Sequence, residues 1–309
     1  MLQGSIITVL SSEEKDAINI ASMLGKRDKM EERVYYRRIG ELVRSVLIPS
    51  TDSILEVARA LSISSSFYLS MPRFTWIEGE LALLAESANI PGVVLTSDVE
   101  MFMKLFKELN ISKLVSTEFR ELDGDTADRG LVFIDRAFNV KGVGVVVLGY
   151  ALTRVAVHDK FIVYPVNREV EIRSIQVLDD DQEEVMPGTR VGLALRNIRL
   201  EDMEDVQALV KPGTRFTNSI NNFTKFKWSD DAREVHVVFN GIKVMGRLEN
   251  GEVKLSRELP LVNGRALVIN VNAKPRRPRL TSSPPLRVGV SEVLGVTPLL
   301  RVLLRYALR

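Results

Sequence analysis

Residues 134–149 read Ile134-Asp-Arg-Ala-Phe-Asn-Val-Lys-Gly-Val-Gly-Val-Val-Val-Leu-Gly149. Apolar and β-branched residues fill both ends, and Lys141-Gly142 between them is turn chemistry, so the stretch reads as two strands about a turn. The same pattern extends on either side. Leu131–Ile134, Gly144–Leu152, Phe161–Tyr164, Val170–Val177, Arg190–Leu195 and Val206–Val210 are short β-branched runs. Asn167-Arg168, Asp179–Asp181 and Pro187-Gly188 separate them. That spacing predicts a small antiparallel β-barrel over residues 125–211.

Downstream, residues 212–309 continue the pattern with Glu234–Phe239, Ile242–Leu248, Arg265–Val271 and Leu286–Gly289. Asn240-Gly241 and Asn250-Gly251 are hairpin-turn signals, and a second barrel is expected. Pro298–Arg309 fits a helix by its Arg301, Arg305 and Arg309 spacing, and better a closing strand by its strict alternation. Upstream, residues 1–124 alternate differently. Ser5–Leu10, Val46–Ile48, Phe67–Leu69, Val93–Leu95 and Lys113–Ser116 read as buried strands. Helices fit after Ser11-Ser12 and at Ser53–Leu61, Ile77–Ala88 and Val99–Leu109. Strand–helix alternation with continuous apolar strands predicts a parallel sheet. The fold class is therefore α/β plus all-β: one parallel-sheet domain followed by two small antiparallel β-barrels.

Composition narrows the function. The chain has 309 residues, no cysteine, two histidines and 27% charged residues. Disulfides, thiolate nucleophiles and Cys-ligated zinc are excluded, and His158 and His236 leave little for a metal site or a Ser-His-Asp triad. No apolar run approaches the roughly 18 residues of a spanning helix, and Met1–Gly4 has no basic flank, so a soluble cytoplasmic protein without membrane attachment is expected. The formal charge of +2 is unevenly spread: residues 1–128 carry −6, residues 129–212 carry −2 and residues 213–309 carry +10. A basic third of this kind suits a polyanion, through release of condensed counterions, or a face docked on the acidic first domain.

The segment from Ile134 to Gly149 resembles the opening of the second domain of EF-Tu-type translation factors. Val170-Glu-Ile-Arg-Ser-Ile-Gln176 and Pro187-Gly-Thr-Arg-Val-Gly-Leu-Ala-Leu-Arg-Asn-Ile198 continue the likeness in order, and their wording is most similar to SelB and its archaeal SelB-like relatives. Phe223-Thr-Lys-Phe-Lys227 adds to the likeness in the third segment. The resemblance implies a GTPase-like first domain, and the phosphate chemistry of that domain can be checked residue by residue.

A phosphate loop needs Gly-x-x-x-x-Gly-Lys-Ser/Thr, whose glycines let backbone N–H groups converge while lysine and hydroxyl serve phosphate and magnesium. In register after Ile6–Leu10 stands Ser11-Ser-Glu-Glu-Lys-Asp-Ala-Ile18. Ser11 and Asp16 replace the glycines, Ala17 the lysine and Ile18 the hydroxyl, and three acidic side chains would repel a triphosphate. Pro49-Ser-Thr-Asp52 stands where the magnesium-side Asp-x-x-Gly is due, and Thr96-Ser-Asp-Val99 where the base-reading Asn-Lys-x-Asp is due, with Asp98 one displaced acidic residue. Between Gly25 and Arg44 there is little room for a switch loop. The first domain reads as a degenerate P-loop GTPase-like fold that has lost nucleotide binding, so no GTP, metal or other cofactor is expected. An unconventional nucleotide site is the competing reading.

By the same resemblance, the pocket for a tRNA 3′ end would fall on Phe138, Val140, Gly142 and Val146, with Leu195 on a neighbouring strand. Each of these also suits ordinary barrel structure. Lys225 and Lys227 alternate with Phe223, Phe226 and Trp228, and Lys274-Pro-Arg-Arg-Pro-Arg279 forms an extended basic loop; Lys225, Lys227, Arg276, Arg277 and Arg279 are the candidate RNA contacts. Asp179–Asp181 with Glu183 and Glu184 reads as a solvated acidic turn rather than a cation loop. No acid–base or nucleophilic constellation emerges, so no enzyme is expected. The expected function is translation-factor-like binding of tRNA or ribosomal RNA, with a ribosome or translation-factor partner. A protein-binding regulatory module for an active translation GTPase and a residual GTPase are the alternatives.

Overall fold

The structure is a computed structural model that describes residues 1–122, 124, 126–226, 229 and 231–273 and the backbone of 288–292. The first unit is a seven-stranded sheet of β1 (Gln3–Ser11), β2 (Lys26–Arg27), β3 (Val34–Ile39), β4 (Leu42–Leu47), β5 (Ser66–Ser70), β6 (Gly92–Leu95) and β7 (Val115–Ser116), in the order β2-β3-β4-β1-β5-β6-β7. From β4 to β7 neighbouring strands are parallel, and β2–β3–β4 form an antiparallel edge. The helices are α1 (Glu14–Leu24), α2 (Ile54–Ile63), α3 (Trp76–Ala88) and α4 (Val99–Phe106). In α1 the buried residues Ala17, Ile20, Ala21 and Leu24 recur at helical spacing and close on Ile7, Val9, Tyr68 and Val93 of the sheet. Ser53, Thr75 and Asp98 cap α2, α3 and α4 by accepting backbone N–H groups.

This unit has one edge beyond the predicted strands, and one predicted strand needs correction. The span between Gly25 and Arg44 holds the β2–β3–β4 edge, whose mixed Tyr35-Tyr36-Arg37-Arg38 sequence hides its alternation. Lys113 lies in a 3-10 turn over Asn110–Leu114, so β7 keeps two residues only.

The second unit contains β8 (Leu131–Val140), β9 (Gly144–Ala151), β10 (Val155–Ala156), β11 (Lys160–Tyr164), β12 (Arg168–Val177), β13 (Asp180–Gln182), β14 (Glu184–Val185), β15 (Thr189–Arg196) and β16 (Ala208–Val210). Six of these close into an antiparallel barrel, β11-β16-β8-β9-β15-β12, because β12 pairs again with β11. Full closure removes the exposed edges of the sheet. The third unit is antiparallel throughout: β17 (Phe216–Ile220), β18 (Phe223–Lys225), β19 (Glu234–Phe239), β20 (Ile242–Glu249), β21 (Glu252–Pro260), β22 (Arg265–Ile269) and β23 (Val288–Glu292), in the order β17-β21-β20-β19-β22-β23-β18. Asn240-Gly241 and Asn250-Gly251 have positive φ at both residues and make the two tight turns β19–β20 and β20–β21. Pro298–Arg309 lies outside the described residues.

The three units share their cores. Ile6 and Ile63 of the first, Leu131, Phe133 and Tyr150 of the second, and Val237 and Phe239 of the third form one buried cluster. Val238, Leu267 and Ile269 of the third unit enter the cluster around α2 and α3. Backbone bonds join the first two units: Gly4 N–H donates to the Pro187 carbonyl at 3.2 Å and Met186 N–H to that of Leu2 at 2.9 Å. The chains approach so closely there that a Cβ on Gly4 would fall 1.8 Å from the Gly188 carbonyl carbon.

Candidate functional site

The loop after β1 carries the first set of candidate residues. β1 ends at Ser11 and α1 starts at Glu14, so only Ser12 and Glu13 connect them. The Asp16 and Ala17 N–H groups donate to the Glu13 carbonyl at 3.0 and 3.3 Å, and the Glu13 N–H to Ser11 Oγ at 3.1 Å. Ala17 is buried under the sheet and Ile18 faces solvent. The Glu13, Asp16 and Ala17 N–H groups are therefore engaged at the start of the helix, and the Ala17 side chain is packed in a core.

Carboxylates occupy the surroundings of this loop. Glu78, completely buried at the first turn of α3, accepts hydrogen bonds from Ser12 Oγ, from Thr75 Oγ1 and from the Thr75 N–H at 3.0 Å. Burial pushes the Glu78 carboxyl up, but the hydrogen bonds from Ser12 and Thr75 outweigh it and hold the group below its ordinary value. Arg73 binds Glu13 and stands 3.7 Å from Glu78, and Ser70 Oγ donates to Asp16 at 3.4 Å. Arg73 is thus matched by protein carboxylates. Asp98 is consumed as the cap of α4, accepting the Met101 N–H at 2.9 Å. Asp52 accepts from Ser50 Oγ at 3.4 Å on the surface after β4.

The second set lies on the barrel. Phe138 is directly paired with Val146, Val140 with Gly144, and Val146 in turn with Ala194. Phe138 is 36% exposed, while Val140 and Val146 are half-buried, so they line an open outer face rather than the barrel core. Gly142 has φ of +82° at the exposed tip of the β8–β9 turn. Leu195 does not join them. It packs with Val145 and Val147 inside the barrel, because a strand sends adjacent residues to opposite faces. Ala194 takes the outer position.

Beside this face runs a cleft of about 340 Å³ between the first unit and the barrel, lined among others by Glu31, Arg33, Phe133, Asp135 and Tyr150. Glu31 lies in the turn between β2 and β3 and binds both Arg190 of β15 and Arg136, two residues along β8 from Phe138. Asp28 adds a 3.4 Å contact to Arg190. This turn is therefore clamped to the barrel.

Of the basic candidates, Lys225 is described, and its ammonium binds Asp231, whose carboxyl the lysine holds below its ordinary value. Lys227, Arg276, Arg277 and Arg279 lie outside the described residues. His158 pairs with Glu171 at 2.9 Å, and the acidic turn is tied by Arg38 to Asp180 at 2.9 Å. Among the described residues, no group of three or more metal-ligating side chains comes together, and no helix is long and apolar enough to cross a membrane.

Known structures share this arrangement. The apo form of translation elongation factor SelB from Methanococcus maripaludis superposes with a TM-score of 0.71 at 17% identity, covering 96% of this chain and 81% of that one. The same factor in complex with the GTP analogue GppNHp gives 0.70 at 17%, covering 94% and 80%. A bacterial selenocysteine-specific elongation factor gives 0.66 at 14%, covering 94% and 58%. The selenocysteine-specific elongation factor of Methanocaldococcus jannaschii is 31% identical over 160 residues, covering 40% of this chain and 34% of the factor.

The chain is SelB-like.

An uncharacterised protein of Methanocaldococcus jannaschii is 43% identical over 72 residues, 23% of each chain, so the chain matches about a quarter and a third of the lengths of these two curated relatives. No family model matches. The predicted α/β plus antiparallel architecture is that of the SelB structures. Sequence reasoning missed the residues that fix this SelB-like body, namely Arg129, Glu31, Arg136 and Arg190. Their partners lie 105 to 159 positions away for Glu31 and 65 to 111 for Arg129, and single charges carry no periodic signal.

Proposed function

We propose that this SelB-like chain is a translation-factor-like protein that binds structured RNA, tRNA or ribosomal RNA, without binding or hydrolysing GTP, and that residues 1–124, 125–211 and 212–309 are its three functional units. The observation that carries the second half is the β1–α1 loop. Its Asp16 and Ala17 N–H groups are spent on Glu13, and Glu13, Asp16 and the buried Glu78 bring negative charge to the place where phosphates would need positive charge. Fold alone does not assign activity, whereas the charge and hydrogen bonding of this loop bear on phosphate binding directly.

The RNA half is supported by the open face of Phe138, Val140 and Val146 beside the cleft and by the +10 charge of residues 213–309. An apolar sheet face with glycines at its turn accepts a base ring, and basic segments supply phosphate contacts. Lys227, Arg276, Arg277 and Arg279, with Lys225 once released from Asp231, are the proposed phosphate contacts. With no γ-phosphate to order a switch, and with the Glu31 turn clamped by Arg136 and Arg190, RNA binding is a simple equilibrium without a timed release. Two titrations test the proposal. A fluorescent GTP analogue with magnesium should show no saturable binding, and tRNA should bind with an affinity that falls steeply with salt. Saturable nucleotide binding, or salt-independent tRNA binding, would overturn it.

A further inference from the structure

A second pocket, of about 290 Å³, opens where the barrel meets the third unit and shares no lining residue with the first cleft. Its wall is aromatic. The Tyr164 ring is buried and lies nearly parallel to that of Phe216, at 13° with centroids 6.1 Å apart. The Tyr164 hydroxyl donates to the Glu258 carbonyl at 2.7 Å, which fixes that ring across the junction. Phe216, by contrast, is 36% exposed, so part of its ring surface is left for a further flat group.

The polar part of the lining is sparse and specific. Asn167, held at φ of +60° in the turn after Tyr164, brings a side-chain amide that both donates and accepts. Glu258 brings an exposed carboxylate that accepts hydrogen bonds from an amino group. Arg257 lines the pocket, is exposed, and makes no ion pair among the described residues. Stacking surface, amide and carboxylate for a ring edge, and the Arg257 guanidinium for phosphate together match a nucleotide. The volume lies near the roughly 300 Å³ at which small-ligand sites begin.

We propose that this pocket holds one unpaired RNA nucleotide, its base stacked on Phe216 with its edge toward Asn167 and Glu258 and its phosphate on Arg257. This rests on the RNA-binding reading and adds to it a second contact, one that shares no lining residue with the first cleft. The Arg257 guanidinium favours a phosphorylated ligand over a neutral aromatic one.

The test uses the full chain and a single-stranded RNA hexamer carrying one 2-aminopurine, whose fluorescence falls on stacking. Binding with quenching is expected, with Phe216→Leu and Arg257→Gln each weakening it about tenfold. Phe216→Leu should also lose the quenching, which Arg257→Gln should retain. Thermal melts check folding, and Arg257→Gln, at an exposed position, carries the test if Phe216→Leu is unstable. Full-length tRNA is titrated in parallel. Wild-type tRNA binding together with unchanged hexamer binding and quenching in both variants would overturn this pocket and leave the RNA-binding reading intact. Failure of the wild type to bind either RNA would overturn both.

Discussion

Arg129 donates through Nη2 to the carbonyl oxygen of Ser64, 2.8 Å away at the end of α2. Its Nη1 donates to the Ser62 carbonyl and to Asn240 Oδ1 at 3.3 Å, so one guanidinium joins all three units. Burial lowers its pKa to about 10, which still leaves it charged at neutral pH. Arg129→Ala would strand these acceptors in a buried site, and Arg129→Lys has no fork with which to reach them together. Urea unfolding followed by circular dichroism should show a loss of about 3 kcal/mol for the alanine variant and only partial rescue by lysine.

The Glu31 clamp makes a prediction about mobility. Arg190→Ala removes the partner that Glu31 and Asp28 share, leaving Arg136 alone on the turn between β2 and β3. Breaking a mostly buried pair costs more than losing an exposed one, and about 2 kcal/mol is expected here. Limited trypsin digestion should cut the variant within residues 26–33, where Lys26, Arg27, Lys29 and Arg33 lie, at least tenfold faster than the wild type by the same free energy.

Acid sensitivity should trace to Glu78. Its carboxyl titrates below its unfolded value in the folded chain, so the stability it contributes is present above about pH 4 and is lost as pH falls through the folded value. Glu78→Gln should flatten the acid limb of the stability curve below about pH 4, measured by thermal melts across pH. An unchanged limb would refute this assignment.

A separate step belongs to His236. Its Nδ1 is buried without a hydrogen-bond partner, and burial together with repulsion from Lys243 holds the imidazole pKa down. The fold therefore favours the neutral ring. Stability is full above about pH 6.5 and falls as pH drops through the folded value, because the unfolded chain binds the proton first. His236→Gln should remove that step below about pH 6.5 in the same melts.

Two barrel positions separate binding from packing. Phe138→Ala, on the open face, should weaken binding of a tRNA with an intact 3′ end about tenfold and leave the fold stable. Leu195→Ala, inside the barrel, should cost about 3 kcal/mol of stability without a comparable effect on affinity at temperatures where it stays folded. The joint alanine variant of Lys225, Lys227, Arg276, Arg277 and Arg279 should abolish tRNA retention at physiological salt.

Much of the architecture is legible in short windows. The Asn240-Gly241 and Asn250-Gly251 turns, the helical spacing of Ala17, Ile20 and Leu24 and the alternation along β12 are each fixed by a few adjacent residues. Failures occur where context outweighs the window. The β2–β3–β4 edge carries exposed arginines that blur its period, and β17 and β21 were missed because their outer faces are polar. Of the candidate site, the absence of Gly-x-x-x-x-Gly-Lys-Ser/Thr from the loop after β1 could be read directly. The side of the sheet that Phe138 occupies could not, because a bulge between Ile134 and Arg136 shifts the register of β8.

The sequence by itself determined the order of sheet types, the tight turns and the chemistry missing from the loop after β1. Those properties follow from backbone preferences and hydrophobic spacing over a few residues. The tertiary structure alone decided that Glu78 fills the space beside Ser12, that Arg129 and Arg190 fasten the units, and that Tyr164 and Phe216 align across a junction. Each of these pairs residues far apart in the chain, and their free energy depends on burial and geometry that no local pattern encodes.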